Sequence, residues 1–140
     1  MTEDINKQAR LTALAEDQPP LGRLLGVKII SATTDKLEAE IIVAKELGNR
    51  NGVMHGGAIM ALADNMGGTA TFLNLADGQG TTTVESKTNF LRALPVGSRV
   101  RAICEPIHKG RRTIVWQTRI LREDGKLAAL VTQTQMILTE

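Results

Sequence analysis

The sequence predicts an α+β domain in which one antiparallel sheet packs around a long central helix. The first observation is the apolar segment 56–75, which is long enough for a buried helix and lacks the alternation of a strand. The second is a set of shorter segments with strand patterns, two before this helix and four after it. A sheet with one apolar face can cover such a helix, so we expect five to six strands in a single sheet.

Length and composition fit one compact core. The chain has 140 residues, of which 42% are hydrophobic. We divide it into an N-terminal helix with a linker, 1–20, and a main domain, 21–140. The N-terminal helix is expected over 4–16, where a modest apolar stripe suits packing against a neighbour, and Gln18-Pro19-Pro20 ends it.

The two strand patterns before the central helix are 25–31 and 36–44, both rich in isoleucine and valine. The turn-like residues 32–35 separate them, so these strands should pair as a hairpin. Segment 48–52 then breaks the pattern with two glycines and leads the chain to His55.

The central helix is apolar on nearly every side, which predicts a position in the middle of the protein. Glycines at 56, 57, 67 and 68 keep it slim, although each interior glycine costs about 1 kcal/mol of helix propensity. That cost indicates a neighbour that approaches the helix backbone closely. Asp64 is the only charged residue of the segment, and we expect it to be buried.

The four later strands are predicted over 81–91, 98–107, 113–121 and 126–138. In 98–107 and 113–121 apolar and polar residues alternate, as in a half-buried antiparallel strand. Short turns connect them, of which Glu123-Asp124-Gly125 is the strongest hairpin signal. Cys104, the only cysteine, falls at an inward position and is interpreted as a small core residue.

Several classes of function are disfavoured by composition. A net charge of +2 and only three aromatic residues offer little to nucleic acids. One cysteine and two histidines without ligand spacing predict no metal site, and phosphate-loop and serine-hydrolase motifs are missing from the sequence. The N-terminus lacks a signal-peptide pattern and no segment is predicted to span a membrane, so a cytoplasmic location is expected.

A His55-Gly56-Gly57 turn opens the predicted central helix. Backbone N–H groups of a first helical turn are unpaired and lie at the positive end of the helix dipole, where an oxyanion is stabilised. Asp64 follows Gly56 by eight residues, which is about 12 Å along a helix. An oxyanion donor and a catalytic carboxylate must both lie about 3 Å from one reacting centre. If both residues act, they must therefore come from different copies, as a twofold dimer would allow.

The pattern Asn49-x-x-Gly52-x-x-His55-Gly56-Gly57, followed by Leu62-Ala63-Asp64, resembles the hotdog-fold acyl-CoA thioesterases of the PaaI-like (phenylacetate-pathway) group. The similarity extends over about 21–138. It implies a hotdog fold, hydrolysis of an acyl-CoA thioester to the free acid and coenzyme A, and a homodimer that often pairs into a homotetramer. It implies no separate cofactor, since coenzyme A is part of the substrate, and it leaves the acyl group open.

The resemblance also implies roles for four residues of this motif. The Gly56 amide would donate to the thioester oxygen, and Asp64 would act as nucleophile or general base, both routes being open. Asn49 would position the attacking water or the acid, while His55 would orient the thioester or assist the leaving group.

Further site residues are expected on the strand after the helix and at the mouth of the site. Related enzymes use a hydroxyl on that strand, and Thr83 is the nearest match, with Thr82 as the alternative. The phosphates of coenzyme A call for arginine and lysine, which cluster in the turn 109–112. The expected substrate-binding residues are Gly57, Lys87, Lys109, Arg111 and Arg112.

Two other functions remain open on this scaffold. A non-catalytic acyl-CoA-binding or sensor domain would keep the basic turn and the helix N-terminus, but it would have no need of Asp64. A hydratase acting on enoyl thioesters is the other alternative. Gly68 stands where some aromatic-acyl enzymes carry a hydroxyl residue, which weighs against an aromatic substrate. The few aromatic rings and the many alanine, methionine and leucine residues allow either a short aliphatic or a phenylacetyl-type acyl pocket.

Overall fold

A six-stranded antiparallel sheet packs against one long helix in the computed structural model, which describes residues 1–139. The strand order is β1-β2-β4-β5-β6-β3, and the predicted α+β hotdog fold is confirmed. The elements are α1 (Thr2–Glu16), α2 (Pro20–Leu25), β1 (Lys28–Ala32), β2 (Leu37–Ile42), a 3₁₀ turn (Lys45–Leu47), α3 (Gly56–Phe72), β3 (Gln79–Phe90), β4 (Arg99–Lys109), β5 (Thr113–Leu121) and β6 (Leu127–Thr139).

The core lies between α3 and the inner face of the sheet. The predicted alternation is observed, since Val100 and Ala102 of β4 are buried between exposed arginines, and every second residue of β5 is buried. Trp116 is fully buried, and its indole Nε1 donates to Thr71 Oγ1 of α3 at 2.8 Å. Cys104 is also buried, and this burial raises the pKa of its thiol to about 12, as suits a core residue.

The short helix α2 was not predicted, and the strand expected from residue 25 begins only at Lys28. Pro20 occupies the first turn of α2, where its missing N–H costs nothing. Gly26 ends the helix with a φ of 76°, a left-handed conformation that favours glycine. The apolar run Leu24-Leu25 therefore belongs to a helix with ordinary start and stop signals. The hairpin of β1 and β2 is confirmed.

Helix α3 ends at Phe72, three residues before the predicted end, and it is not buried on every side. Met60, Asp64 and Phe72 are exposed, so the expectation that Asp64 is buried is wrong for the isolated subunit. The physical reason is that one sheet covers only one side of a helix. The other side of α3 presents an open stripe of small and apolar residues around one carboxylate.

The predicted close neighbour of α3 is found at Gly67. A Cβ atom at this position would overlap the side-chain amide of Gln133, which lies directly against the helix. At Gly68, by contrast, an added Cβ atom would meet no atom of the described residues within 4 Å. Only glycine therefore lets β6 place a polar side chain at the helix backbone here.

The outer elements frame this core. Helix α1 packs through Leu11 and Ala15, which join the common core, while most of its other residues are exposed. Strand β3 forms one edge of the sheet, and Val84 and Phe90 on it are exposed. None of the helices in residues 1–139 combines the length and hydropathy needed to cross a lipid bilayer.

Candidate active site

His55 is the N-cap of α3. Its backbone is extended (φ −60°, ψ 137°), and its Nδ1 atom accepts a hydrogen bond of 2.8 Å from the Gly57 N–H. Because Nδ1 accepts, the proton of the neutral ring is on Nε2, which is a donor on an exposed side chain. The Gly57 N–H is thus used within the cap, whereas Gly56, at the first helical position, has an N–H with no intrahelical acceptor.

Asn49 holds the loop that precedes this helix. Its Oδ1 accepts from the backbone N–H groups of Asn51 (2.8 Å) and Val53 (3.3 Å), so its oxygen is used in a local turn. The Nδ2 amide takes no part in these two hydrogen bonds. Together with His55, the loop lines an open depression that also contains Arg50.

Asp64 lies at the midpoint of α3, on its exposed side, where strand β3 contacts the helix. Thr83 Oγ1 donates a hydrogen bond of 2.6 Å to Asp64 Oδ1. Thr83, and not the neighbouring Thr82, is therefore the strand hydroxyl that meets the helix acid. A β-bulge between Thr83 and Glu85 shifts the register of β3 at this point.

A chain of buried amides continues from Thr83 into the core. Gln135 Nε2 donates to Thr83 Oγ1 (2.6 Å) and to Gln133 Oε1 (2.7 Å). Gln133 Nε2 donates in turn to the backbone carbonyl of Ala63 at 2.7 Å. Both glutamines are only 1% exposed. A series of hydrogen bonds therefore runs from the Ala63 carbonyl through the two glutamines and Thr83 to the carboxylate of Asp64, the residue that follows Ala63 in α3.

Gly56 and Asp64 remain separated within one subunit. Both belong to α3, and eight residues of helix correspond to about 12 Å. Gly56 lies beside the Phe90 ring near the end of β3, whereas Asp64 contacts Thr83 on the same strand. One thioester carbonyl cannot reach both groups of a single chain.

The predicted basic residues lie on the surface with different partners. Lys109 pairs with Asp35 at 2.7 Å, and Lys87 donates to Asn89 at 3.1 Å. Arg111 and Arg112 are exposed in the β4–β5 turn. Strand β5 begins after this turn, and its second residue, Ile114, pairs across the sheet with Gln135, which in turn pairs with Thr83 of β3.

Sequence reasoning missed three residues of this region. Arg50 was overlooked although it directly follows Asn49 in the loop. Gln133 and Gln135 were read only as part of a strand pattern, yet they share the phase of the buried residues Ala129 and Val131. Polar residues at inward positions of a strand are the signal that could have found them, since buried polar groups require partners.

Comparison with known proteins identifies the family. Residues 51–129, more than half of the chain, match the model of the family described as the thioesterase superfamily. The chain belongs to this superfamily. It is a thioester hydrolase, and the resemblance to hotdog-fold thioesterases of the PaaI-like group is confirmed.

Three relatives illustrate the match. The proofreading thioesterase EntH of Cronobacter turicensis is 35% identical over 73% of this chain and 74% of its own. The 1,4-dihydroxy-2-naphthoyl-CoA hydrolase of Escherichia coli is 36% identical over 74% of this chain and 76% of its own. The crystal structure of a mutant of thioesterase PA1618 from Pseudomonas aeruginosa superposes with a TM-score of 0.82, at 30% identity, covering 94% of this chain and 93% of that one.

Proposed function

We propose that this thioesterase hydrolyses acyl-CoA thioesters at a site shared by two subunits, with Asp64 from one chain and the Gly56 N–H from the other. The observation that carries the proposal is the separation of these two groups along one helix, with Asp64 exposed and Gly56 partly exposed. The names of relatives support the substrate class, since one of them is a hydrolase of an aromatic acyl-CoA. The proposal covers both aliphatic and aromatic acyl groups in the substrate.

Exposed apolar surface supports the shared site. Within residues 1–139, strand β3 has a hydrogen-bonded neighbour on one side only, namely β6, and long unpaired edges are avoided in stable monomers. Val84, Phe90 and Phe72 are each more than half exposed along this edge and the open stripe of α3. A second copy that pairs edge to edge about a twofold axis would cover these residues and bring each Asp64 towards the partner's helix N-terminus.

The chemistry then follows from the groups at hand. The thioester oxygen accepts from the Gly56 N–H, which stabilises the negative charge that forms as the carbonyl carbon is attacked. Asp64 either removes a proton from the attacking water or attacks the carbon itself to form a mixed anhydride that water then cleaves. In both routes the carbon–sulfur bond breaks and coenzyme A leaves as a thiolate.

The remaining residues have supporting roles in this proposal. The Nε2–H of His55 and the Nδ2 amide of Asn49 are donors beside the helix N-terminus, suited to orient the thioester. Arg111 and Arg112, with Lys109 and Lys87 farther along the surface, offer positive charge to the phosphates of coenzyme A. Arg50 adds a further cation next to His55.

Mixed dimers test the division between chains. Asp64→Asn removes the carboxylate, and Gly56→Pro removes the N–H at a helical position that accepts proline, after a residue whose ψ of 137° suits it. Each variant alone should be inactive. A mixed dimer has one site with both groups intact, so equal mixing after refolding should restore about a quarter of wild-type activity.

The mixing experiment has a clear negative outcome. If each chain supplied both groups to its own site, no combination of the two variants would regain turnover. A matched control is Asp64→Asn mixed with Asp64→Asn carrying Gly56→Pro as well, which contains no complete site in either arrangement. Size-exclusion chromatography with light scattering gives the oligomeric state of every sample.

A further inference from the structure

The two most deeply buried amide side chains of the protein lie directly behind the candidate active site. Gln133 and Gln135 are each 1% exposed, on the inner face of β6. Burying an amide is costly unless its hydrogen bonds are satisfied, and apolar residues would fill an ordinary core more favourably. A role beyond packing is therefore expected for this pair.

One backbone atom, the carbonyl oxygen of Ala63, determines the direction of every hydrogen bond in the series from Gln133 to Asp64. The Ala63 carbonyl can only accept, so the group of Gln133 that faces it at 2.7 Å is the Nε2 amide. The Oε1 atom of Gln133 then faces Gln135. Because Oε1 can only accept, Gln135 must donate to it from its own Nε2, at 2.7 Å. The amide orientations of both glutamines are fixed in this way without reference to Asp64.

The same reasoning extends to Thr83. The Nε2 amide of Gln135 has two hydrogens, of which one goes to Gln133 and the other to Thr83 Oγ1 at 2.6 Å. A threonine hydroxyl has a single hydrogen, and Gln135 approaches it as a donor. The Thr83 hydrogen is consequently directed to Asp64 Oδ1, 2.6 Å away. Oε1 of Gln135 faces the Thr81 hydroxyl at 3.0 Å.

We infer that Gln133 and Gln135 are positioning residues that fix Asp64 for catalysis by forcing the Thr83 hydroxyl to donate to Asp64 Oδ1. The carboxylate is then held in one rotamer, and Oδ2 is the oxygen left to act on water or on the acyl carbon. This inference rests on the proposed function, because it gives Asp64 a catalytic task. It extends that proposal to two residues that touch neither substrate nor reacting atoms.

Gly67 is part of the same arrangement. Its lack of a side chain lets the amide of Gln133 lie against α3 and reach the carbonyl of Ala63, four residues earlier on the helix. The polar path thus connects the backbone on one side of Asp64 with its carboxylate on the other. Ordering of this kind reduces the freedom of a reacting group that is otherwise exposed.

Kinetics of Gln135→Met, Thr83→Val and the double variant test the inference. Gln135→Met keeps the length of the side chain but removes its donor, so kcat should fall about tenfold, the equivalent of one hydrogen bond, with KM changed less than about twofold. If Gln135 acts through Thr83, the double variant should be no slower than Thr83→Val alone. Multiplicative losses in the double variant, or an unchanged kcat in Gln135→Met, would overturn the inference.

A stability-matched control separates positioning from general damage. Thr71→Val removes a different buried hydrogen bond, that of Trp116, and should lower the melting temperature while leaving kcat unchanged. Asp64→Asn distinguishes failure of the proposed catalytic role of Asp64 from failure of the positioning role of the glutamines. If it hydrolyses at the wild-type rate, the proposed function fails. If it is inactive while Gln135→Met is fully active, only the positioning role fails.

Nuclear magnetic resonance provides a readout that does not depend on a buried substitution. The side-chain amide protons of Gln133 and Gln135 should exchange slowly with solvent in the wild type. Asp64→Asn, a surface change, should shift the Gln135 amide signals more than those of the exposed Gln8. Unshifted Gln135 signals would show that the path does not connect to Asp64 and would overturn the inference.

Discussion

The two halves of the sheet cover the same helix with opposite chemistry. Under β2 and β4 the inner face is made of buried aliphatic and small residues, such as Leu37, Ile41 and Val100. Under β6 and β3 it carries glutamines and hydroxyls, among them Gln135 and Thr83. One half of the molecule is thus an ordinary core, and the other is a polar layer beneath the Asp64 carboxylate.

This difference teaches where stability and activity are located. Aliphatic contacts contribute most of the free energy of folding, because burial of apolar surface is favourable without exact geometry. Polar contacts contribute little net stability but fix directions and rotamers. Substitutions in the aliphatic half should therefore change melting, and substitutions in the polar half should change turnover.

The sharpest test of the polar half is Asp64→Asn. The variant keeps the size of the side chain and should fold normally, because Asp64 is exposed and its partner Thr83 can donate to an amide oxygen as well. We expect kcat to fall at least ~100-fold, the low end of what a positioned acid or base contributes. Loss of thioester absorbance during acyl-CoA turnover measures it.

Asp77→Asn is the matched control for this prediction, since Asp77 is an exposed carboxylate in the loop after α3. It should hydrolyse at the wild-type rate. Equal activity of both variants would remove Asp64 from the mechanism and with it the contrast between the two halves.

The aliphatic half is tested by Leu37→Ala on β2, where the side chain is fully buried. The cavity should lower the free energy of unfolding by about 2–5 kcal/mol, with kcat retained at temperatures where the variant is folded. Denaturant unfolding followed by circular dichroism provides the measurement. Ile42→Ala, exposed on the same strand, should cost much less, and equal losses would contradict the assignment of the core.

A buried polar contact outside the site gives an intermediate effect. Thr71→Val leaves the buried indole N–H of Trp116 without its acceptor, which should cost about 1–3 kcal/mol. Thermal unfolding should show the loss, and Thr71→Ser, which keeps the hydroxyl, should recover most of it. Full stability of the valine variant would mean that the indole finds another acceptor.

The smallest expected effect concerns Glu38 on the outer face of the sheet. Burial alone would raise the pKa of Glu38, but hydrogen bonds from Lys36 and Arg101 outweigh it and lower the pKa below its usual value of 4.5. A carboxyl whose pKa is lowered by folding contributes its full stabilisation at pH values above the unfolded-state pKa. This contribution is lost as the pH falls through the lower, folded-state pKa.

Glu38→Gln should therefore destabilise the protein at neutral pH and approach wild-type stability in acid, below about pH 4.5. The difference should stay below about 1 kcal/mol, because both cationic partners are nearly half exposed and solvent screens them. Unfolding curves at several pH values measure it, and added salt should reduce it. A difference that does not depend on pH would exclude this ion-pair contribution.

The sequence predicted most of the fold because alternation and turn chemistry are local signals. Of the elements in residues 1–139, all six strands and two of the three α-helices were located, whereas α2 was missed, although Pro20 and Gly26 mark its ends. The exposure of Asp64 could not be predicted, since a helix that is apolar all round looks buried until the extent of the sheet is known. Whether a second chain covers it is a property of the assembly.

The candidate site was predictable where its residues belong to the motif or to the strand that follows it. His55, Gly56 and Asp64 lie on one short segment, and the family resemblance also pointed to Thr83, which does contact Asp64. Gln133 lies about 70 residues from its hydrogen-bond partner Ala63, and Gln135 lies about 50 residues from its partner Thr83. A pattern within one strand shows that they are polar and inward, but only the folded sheet shows what they bind.

The inaccessible thiol of Cys104 has a practical consequence for all of these measurements. Coenzyme A released by hydrolysis carries a free sulfhydryl group, which a disulfide dye converts into colour. With a pKa of about 12 and no contact with solvent, the Cys104 thiol, which is the chain's single thiol, should not react with the dye while the protein is folded. The absorbance of the dye then measures only the coenzyme A that is released, even at enzyme concentrations high enough to observe a first turnover.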